Sequence, residues 1–127
     1  MRKLSLVFLT GIFIVLLLAG CGGSVKTYTD AGQKISVGVG QEFVLALGAN
    51  PTTGYSWQVH HNESVLTLVE QKYEPGNQAQ QGLVGAGGVE FFRFKALQKG
   101  ETSITLSYQR PWEGQAIEQK VFAIDIK

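Results

Sequence analysis

Few residues in this chain could do covalent chemistry. Histidine occurs only at the neighbouring positions His60 and His61. Consecutive residues of an extended strand project to opposite faces, so if the strand through Val59 continues they cannot both serve one site, and neither lies in a catalytic motif. Carboxylates are scattered, with no close pair for acid–base work and no calcium-loop spacing. The single cysteine, Cys21, excludes an intramolecular disulfide, a four-thiolate zinc site and an iron–sulfur cluster. Gly85-Ala86-Gly87-Gly88 is glycine-rich but lacks the Lys-Ser/Thr of a phosphate loop and opens no helix. The expectation is a protein with no cofactor, no metal and no catalytic turnover.

Three segments stand out instead, each joining turn-forming residues to large or apolar ones. In the first, Asn50-Pro51-Thr52-Thr53-Gly54-Tyr55-Ser56-Trp57, Pro51 fixes its own φ and pushes Asn50 toward an extended conformation, while Gly54 can take a positive φ. Thr52 and Thr53 between them are small and β-branched, with little rotamer freedom to lose on contact. Such a tip suits a narrow cleft, although the same residues also make a good turn. The second, Leu83-Val84-Gly85-Ala86-Gly87-Gly88, allows close approach of a partner or a mobile hinge. The third, Tyr108-Gln109-Arg110-Pro111-Trp112-Glu113-Gly114, presents Arg and Trp around a rigid Pro. Those two residue types are enriched at binding hot spots, unless Trp112 folds back to cap the core.

The elements that must hold these segments are strands. Ile35, Val37 and Val39 alternate with polar or small residues, as do Phe43, Leu45 and Leu47, then Tyr55, Trp57 and Val59. Phe92 and Phe94, then Ile104, Leu106 and Tyr108, and finally Phe122, Ile124 and Ile126, continue the period of two. Six or seven short strands with Gly, Pro and Asn turns predict an all-β, immunoglobulin-like β-sandwich without the disulfide, with a barrel as the alternative. Glu74 to Gly82 is the least hydrophobic stretch and reads as a long mobile loop.

The segments NPTTGYSW, GAGG and RPWEG, in this order, resemble the signature of the chagasin-type inhibitors of papain-like cysteine proteases. The resemblance covers the chain from about Ile35 to its C-terminus. It implies a sandwich projecting three loops from one end into a protease cleft. On that reading Thr52, with Thr53 and Gly54, sits against the catalytic cysteine and histidine, flanked by Asn50, Pro51 and Tyr55. Gly85, Ala86, Gly87 and Gly88 lie along one wall, with Leu83 at a hydrophobic subsite. Arg110, Pro111 and Trp112 cover the other wall, and Trp57 belongs to the core. The implied partner is a papain-like protease, inhibited reversibly and without covalent chemistry by one copy of the chain.

Composition narrows the setting. The 127 residues make one domain. Setting aside Arg2 and Lys3, the 11 basic residues become 9 against 10 acidic, which offers no footprint for nucleic acid. Arg2 and Lys3 precede the apolar run Leu4 to Leu18, a secretion signal too short to span a bilayer comfortably. Leu18-Ala19-Gly20-Cys21 resembles the lipobox of bacterial lipoproteins, which implies lipidation of Cys21 and anchoring in a bacterial cell envelope after export across the inner membrane. The expected organisation is a signal peptide over 1–20, the lipidated Cys21 with a tether over 21–24, and the inhibitor body over 25–127. An envelope adhesion or assembly module with a non-protease partner is the rival reading.

Overall fold

The computed structural model describes residues 24–76 and 87–127. Its strands are β1 (Lys26–Tyr28), β2 (Ile35–Val37), β3 (Glu42–Ala49), β4 (Ser56–His61), β5 (Leu66–Pro75), β6 (Gly88–Ala96), β7 (Gly100–Gln109) and β8 (Glu118–Ile126). They form two four-stranded sheets, in the orders β1-β3-β6-β5 and β2-β8-β7-β4. The short pairs β1–β3 and β2–β8 are parallel and the others antiparallel, so both sheets are mixed. Two separate sheets make this an immunoglobulin-like sandwich rather than a barrel.

Period-two alternation builds the core. Phe43, Leu45 and Leu47 face Phe92 and Phe94 within one sheet, and Trp57, Ile104, Leu106, Phe122, Ile124 and Ile126 close over them from the other. Phe43 and Phe94 stack at 5.7 Å. Each fully buried Leu, Ile or Phe stabilises the fold by about 1.5–3 kcal/mol, so a dozen of them hold a chain that has no disulfide. Among the described residues every core residue lies between Ile35 and Ile126, so residues 24–127 include all of that core.

Four sequence expectations are corrected. The described residues form eight strands, not six or seven. Val39 does not continue the first run: β2 ends at Val37, and Val39 stands half exposed in a turn where Gln41 N–H donates to the Gly38 carbonyl. Tyr55 precedes β4 rather than lying in it. Glu74 and Pro75 belong to β5, pairing with Val89 and Gly88, instead of opening a loop; residues 77–82 of that segment lie outside the described residues.

Register decides where the loops go. Ala49 at the end of β3 pairs with Gly88 at the start of β6, and Ser56 at the start of β4 pairs with Gln109 at the end of β7. These strand ends share one pole. Lys26 pairs with Phe43 at the start of β3, so the chain enters the fold at the opposite pole, about 25 Å away along eight residues of strand.

Candidate functional site

The β3–β4 connection is a single turn of 3₁₀ helix over Pro51–Thr53. Asn50 is extended at φ −136°, as a residue before proline should be, and it caps the turn. Its side-chain oxygen accepts from Thr52 N–H at 3.3 Å and from the Thr52 hydroxyl at 2.6 Å. Its carbonyl accepts from Thr53 N–H at 3.2 Å and from the Thr53 hydroxyl at 2.7 Å. Gly54 closes the turn at φ 80°, a conformation that disfavours any side chain, with its N–H on the Pro51 carbonyl at 3.1 Å. Pro51, Thr52 and Thr53 remain exposed at the tip. The loop is therefore stiff and its polar groups are largely satisfied from within.

The segment after β7 clamps that turn from the side. Arg110 donates from Nε to the Thr53 carbonyl at 3.0 Å, and its guanidinium lies 4.3 Å from the Tyr55 ring centre, a cation–π geometry. Glu113 pairs with the same guanidinium at 3.3 Å, which at a partly exposed site contributes little energy but sets its orientation. Trp112 is 71% exposed, so it does not cap the core. The edge of its indole rests on Gly54, where an added Cβ would come within 2.7 Å of Cη2. Gly54 thus serves the backbone conformation and the seat of the indole at once.

Beneath the two loops lies an aromatic floor. Trp57 is 4% exposed, donates from Nε1 to the Gly48 carbonyl at 3.0 Å and stacks on Tyr108 at 4.7 Å. Tyr108 also meets Tyr55 at 5.4 Å, and its hydroxyl accepts from Asn50 N–H at 2.9 Å. Tyr108, expected as a strand residue at the head of the third segment but given no role in the site, lies in β7 yet pins the first residue of the opposite loop, 58 positions away in the chain. Its inward register with Ile104 and Leu106 was visible, but its hydroxyl's partner was not.

The second segment is seen only at its end. Gly87 lies against Ala49 and Asn50, and its carbonyl accepts from Gly76 N–H at 3.1 Å. Gly88 is the first residue of β6, wedged so closely against Glu74 and Pro75 that no side chain fits. It therefore serves strand packing first. Leu83, Gly85 and Ala86, like Cys21 and the leader, lie outside the described residues.

Thr52, Gly87 and Trp112 thus share one pole. His60 and His61 do not share a site: both are in β4, His60 exposed on the outer face and His61 with its ring edge on Phe94 at 5.3 Å. Among the described residues no group of three His, Cys, Asp or Glu side chains could hold a metal. What the pole offers a partner is a rigid, exposed wedge flanked by an indole and a guanidinium.

Comparison with known proteins gives the family and the fold. The model of the family described as chagasin family peptidase inhibitor I42 matches residues 36–126. Chagasin of Trypanosoma cruzi is 35% identical over 107 residues, spanning 80% of this chain and 94% of that protein. The solution structure of amebosin superposes with a TM-score of 0.68 at 28% identity, covering 83% of this chain and 100% of that one. An epitope scaffold based on an inhibitor of cysteine proteases gives a TM-score of 0.53 at 28% identity, covering 68% and 77% of the two chains.

Proposed function

The chain belongs to the chagasin family of peptidase inhibitors and is not an enzyme; from that premise we propose that it inhibits papain-like cysteine proteases reversibly, by seating its loop pole in their active-site cleft. The observation that carries this is the clamped turn at Pro51–Thr53. Papain-like enzymes cut extended peptides whose carbonyl lies in line with the nucleophile. At this tip the carbonyls of Asn50, Pro51 and Thr53 are engaged by Thr53, Gly54 and Arg110, in a bend held from two sides. Thr52 and Thr53 enter against the catalytic cysteine and histidine without offering a scissile bond.

The flanks complete the seal. Arg110, Pro111 and Trp112 cover one wall of the cleft, while Leu83 and Gly85 to Gly88 lie along the other. Turn and clamp are formed before binding, so docking orders few side chains. An interface of roughly 1,600 Å² in total can then bind tightly. One copy of the chain suffices. The sequence of the leader supports a second element of the reading, in which Cys21 carries lipid and holds the inhibitor at a bacterial cell envelope.

Titrating residues 22–127 against papain with a fluorogenic peptide tests the proposal. Competitive, dose-dependent loss of activity is expected. An absence of inhibition at micromolar concentration would overturn it in favour of a module with another partner.

A further inference from the structure

The pole opposite the loops has a chemistry of its own. Five backbone hydrogen bonds gather it: Val39 N–H to the Lys127 carbonyl, Lys127 N–H to Val37, Gly40 N–H to Ala96, Ala96 N–H to Gln41 and Leu97 N–H to Val65. The first strand joins them, because β1 begins level with Phe43. Three aliphatic side chains from separate segments project here, Val25 at 40% exposure, Val39 at 52% and Leu97 at 40%. Lys26, Lys99 and Lys127 are exposed around them and, among the described residues, make no ion pair. Of the acidic groups nearby, Glu42 is paired with Arg93 at 3.2 Å and Glu101 with Lys34 at 3.1 Å, Asp125 lies in register with Glu101 and also acts on Lys34, and Glu63 is exposed in the turn before Val65.

We propose that this pole is a docking surface for an anionic lipid bilayer, with Val25, Val39 and Leu97 entering the headgroup region and Lys26, Lys99 and Lys127 on the phosphates. Single exposed aliphatics are ordinary on a protein surface. Three from separate segments, sharing a pole with three lysines that make no ion pair and with the start of β1, are a composite feature. The inference rests on the anchoring reading for its tether: Cys21 lies three residues before Ser24, a span of at most about 10 Å. A body tethered that closely holds its lysines near the surface, within about a Debye length, where each adds roughly fivefold to membrane partition. Effective concentration does the rest.

The geometry then selects the target. With one pole on the lipid, the wedge points away from it across the length of the sandwich. It reaches a protease in solution or on an opposing surface, and not one lying in the same leaflet.

Brominated-lipid quenching of tryptophan tests this. The chain from Cys21 to Lys127 is coupled through the Cys21 thiol to a maleimide phospholipid in vesicles containing brominated anionic lipid. Trp57 and Trp112 both lie away from this pole, so the parent is expected to stay unquenched. Leu97→Trp adds a reporter at the pole, and its added emission should be lost by more than half. Combining it with Lys26→Glu, Lys99→Glu and Lys127→Glu should restore that emission. Retained papain inhibition shows that both variants are folded. Unquenched emission from Leu97→Trp would overturn the proposal, whether the pole floats free or faces a protein instead. So would quenching of Trp112 in the parent, or quenching that is equal on neutral vesicles and indifferent to the lysine changes. Because the tether is imposed chemically, none of these outcomes depends on natural lipidation. That is read separately, as a diacylglyceryl mass on Cys21 of protein from a lipoprotein-processing host.

Discussion

Replacing Gly54 with alanine separates two jobs that this residue does. At φ 80° an alanine costs about 1–2 kcal/mol of folding stability, because its Cβ crowds the backbone. The same Cβ would lie 2.7 Å from Trp112 Cη2, where ordinary contact begins near 3.4 Å. Trp112 is 71% exposed, so the indole can swing aside without disturbing the core. The steric conflict should therefore surface in binding rather than in folding. If the indole is a hot spot, displacing it costs about 2 kcal/mol, a factor of about 30 in the inhibition constant. The assay is a double-mutant cycle of Gly54→Ala and Trp112→Ala, with papain inhibition constants and urea midpoints measured for all four proteins. In the parent background Gly54→Ala should raise the inhibition constant about 30-fold; in the Trp112→Ala background it should change it by less than about threefold. The stability loss should be similar in both. A folded Gly54→Ala protein with the parent's constant, or an equal penalty in both backgrounds, would refute the idea that the glycine seats the indole.

Other substitutions sort contact from support. Trp112→Ala alone should weaken inhibition by about 2 kcal/mol or more while leaving the urea midpoint unchanged, and an unchanged inhibition constant would remove Trp112 from the interface. Trp57→Phe should do the reverse: loss of the Nε1 bond to Gly48 costs about 1 kcal/mol of stability, read by urea unfolding, with the inhibition constant of the folded protein within about threefold of the parent's. Tyr108→Phe keeps both ring stacks but removes the acceptor for Asn50 N–H, which should cost about 1 kcal/mol of stability by the same measurement. Arg110→Lys keeps the charge yet loses the Nε bond to Thr53 and the planar stack on Tyr55, and should weaken inhibition about tenfold in the papain assay.

The sequence was most informative where local chemistry decides conformation. Pro51 and Gly54 set the turn through their own φ preferences, and the inward residues of β3, β4, β6, β7 and β8 announce themselves by alternation. β5 escaped notice because it is an edge strand with most of its residues exposed, and a register shift between Leu68 and Glu70 breaks the period. β1 is three residues with no buried side chain, so it has no alternation to show; β2 was legible in the alternation of Ile35 and Val37, but its parallel pairing with β8, 89 positions away, was not. The clamp was illegible for the same reason. Arg110 and Thr53 are 57 positions apart, and only the assembled sandwich brings the guanidinium to that carbonyl. Gly88 read as a flexible contact residue, whereas packing against Glu74 makes it a fixed part of the sheet.

Inhibition by a wedge requires that binding take place through one pole. Hydrogen exchange of the complex with papain reads that surface directly, amide by amide. Protection is expected at Thr52–Tyr55, at Gly87–Gly88 and at Trp112–Glu113, with the turns at 38–41 and 97–100 exchanging as in the free protein. Protection confined to a sheet face, to the edge strands β4 and β5, or to the far turns would rule out binding through the loop pole.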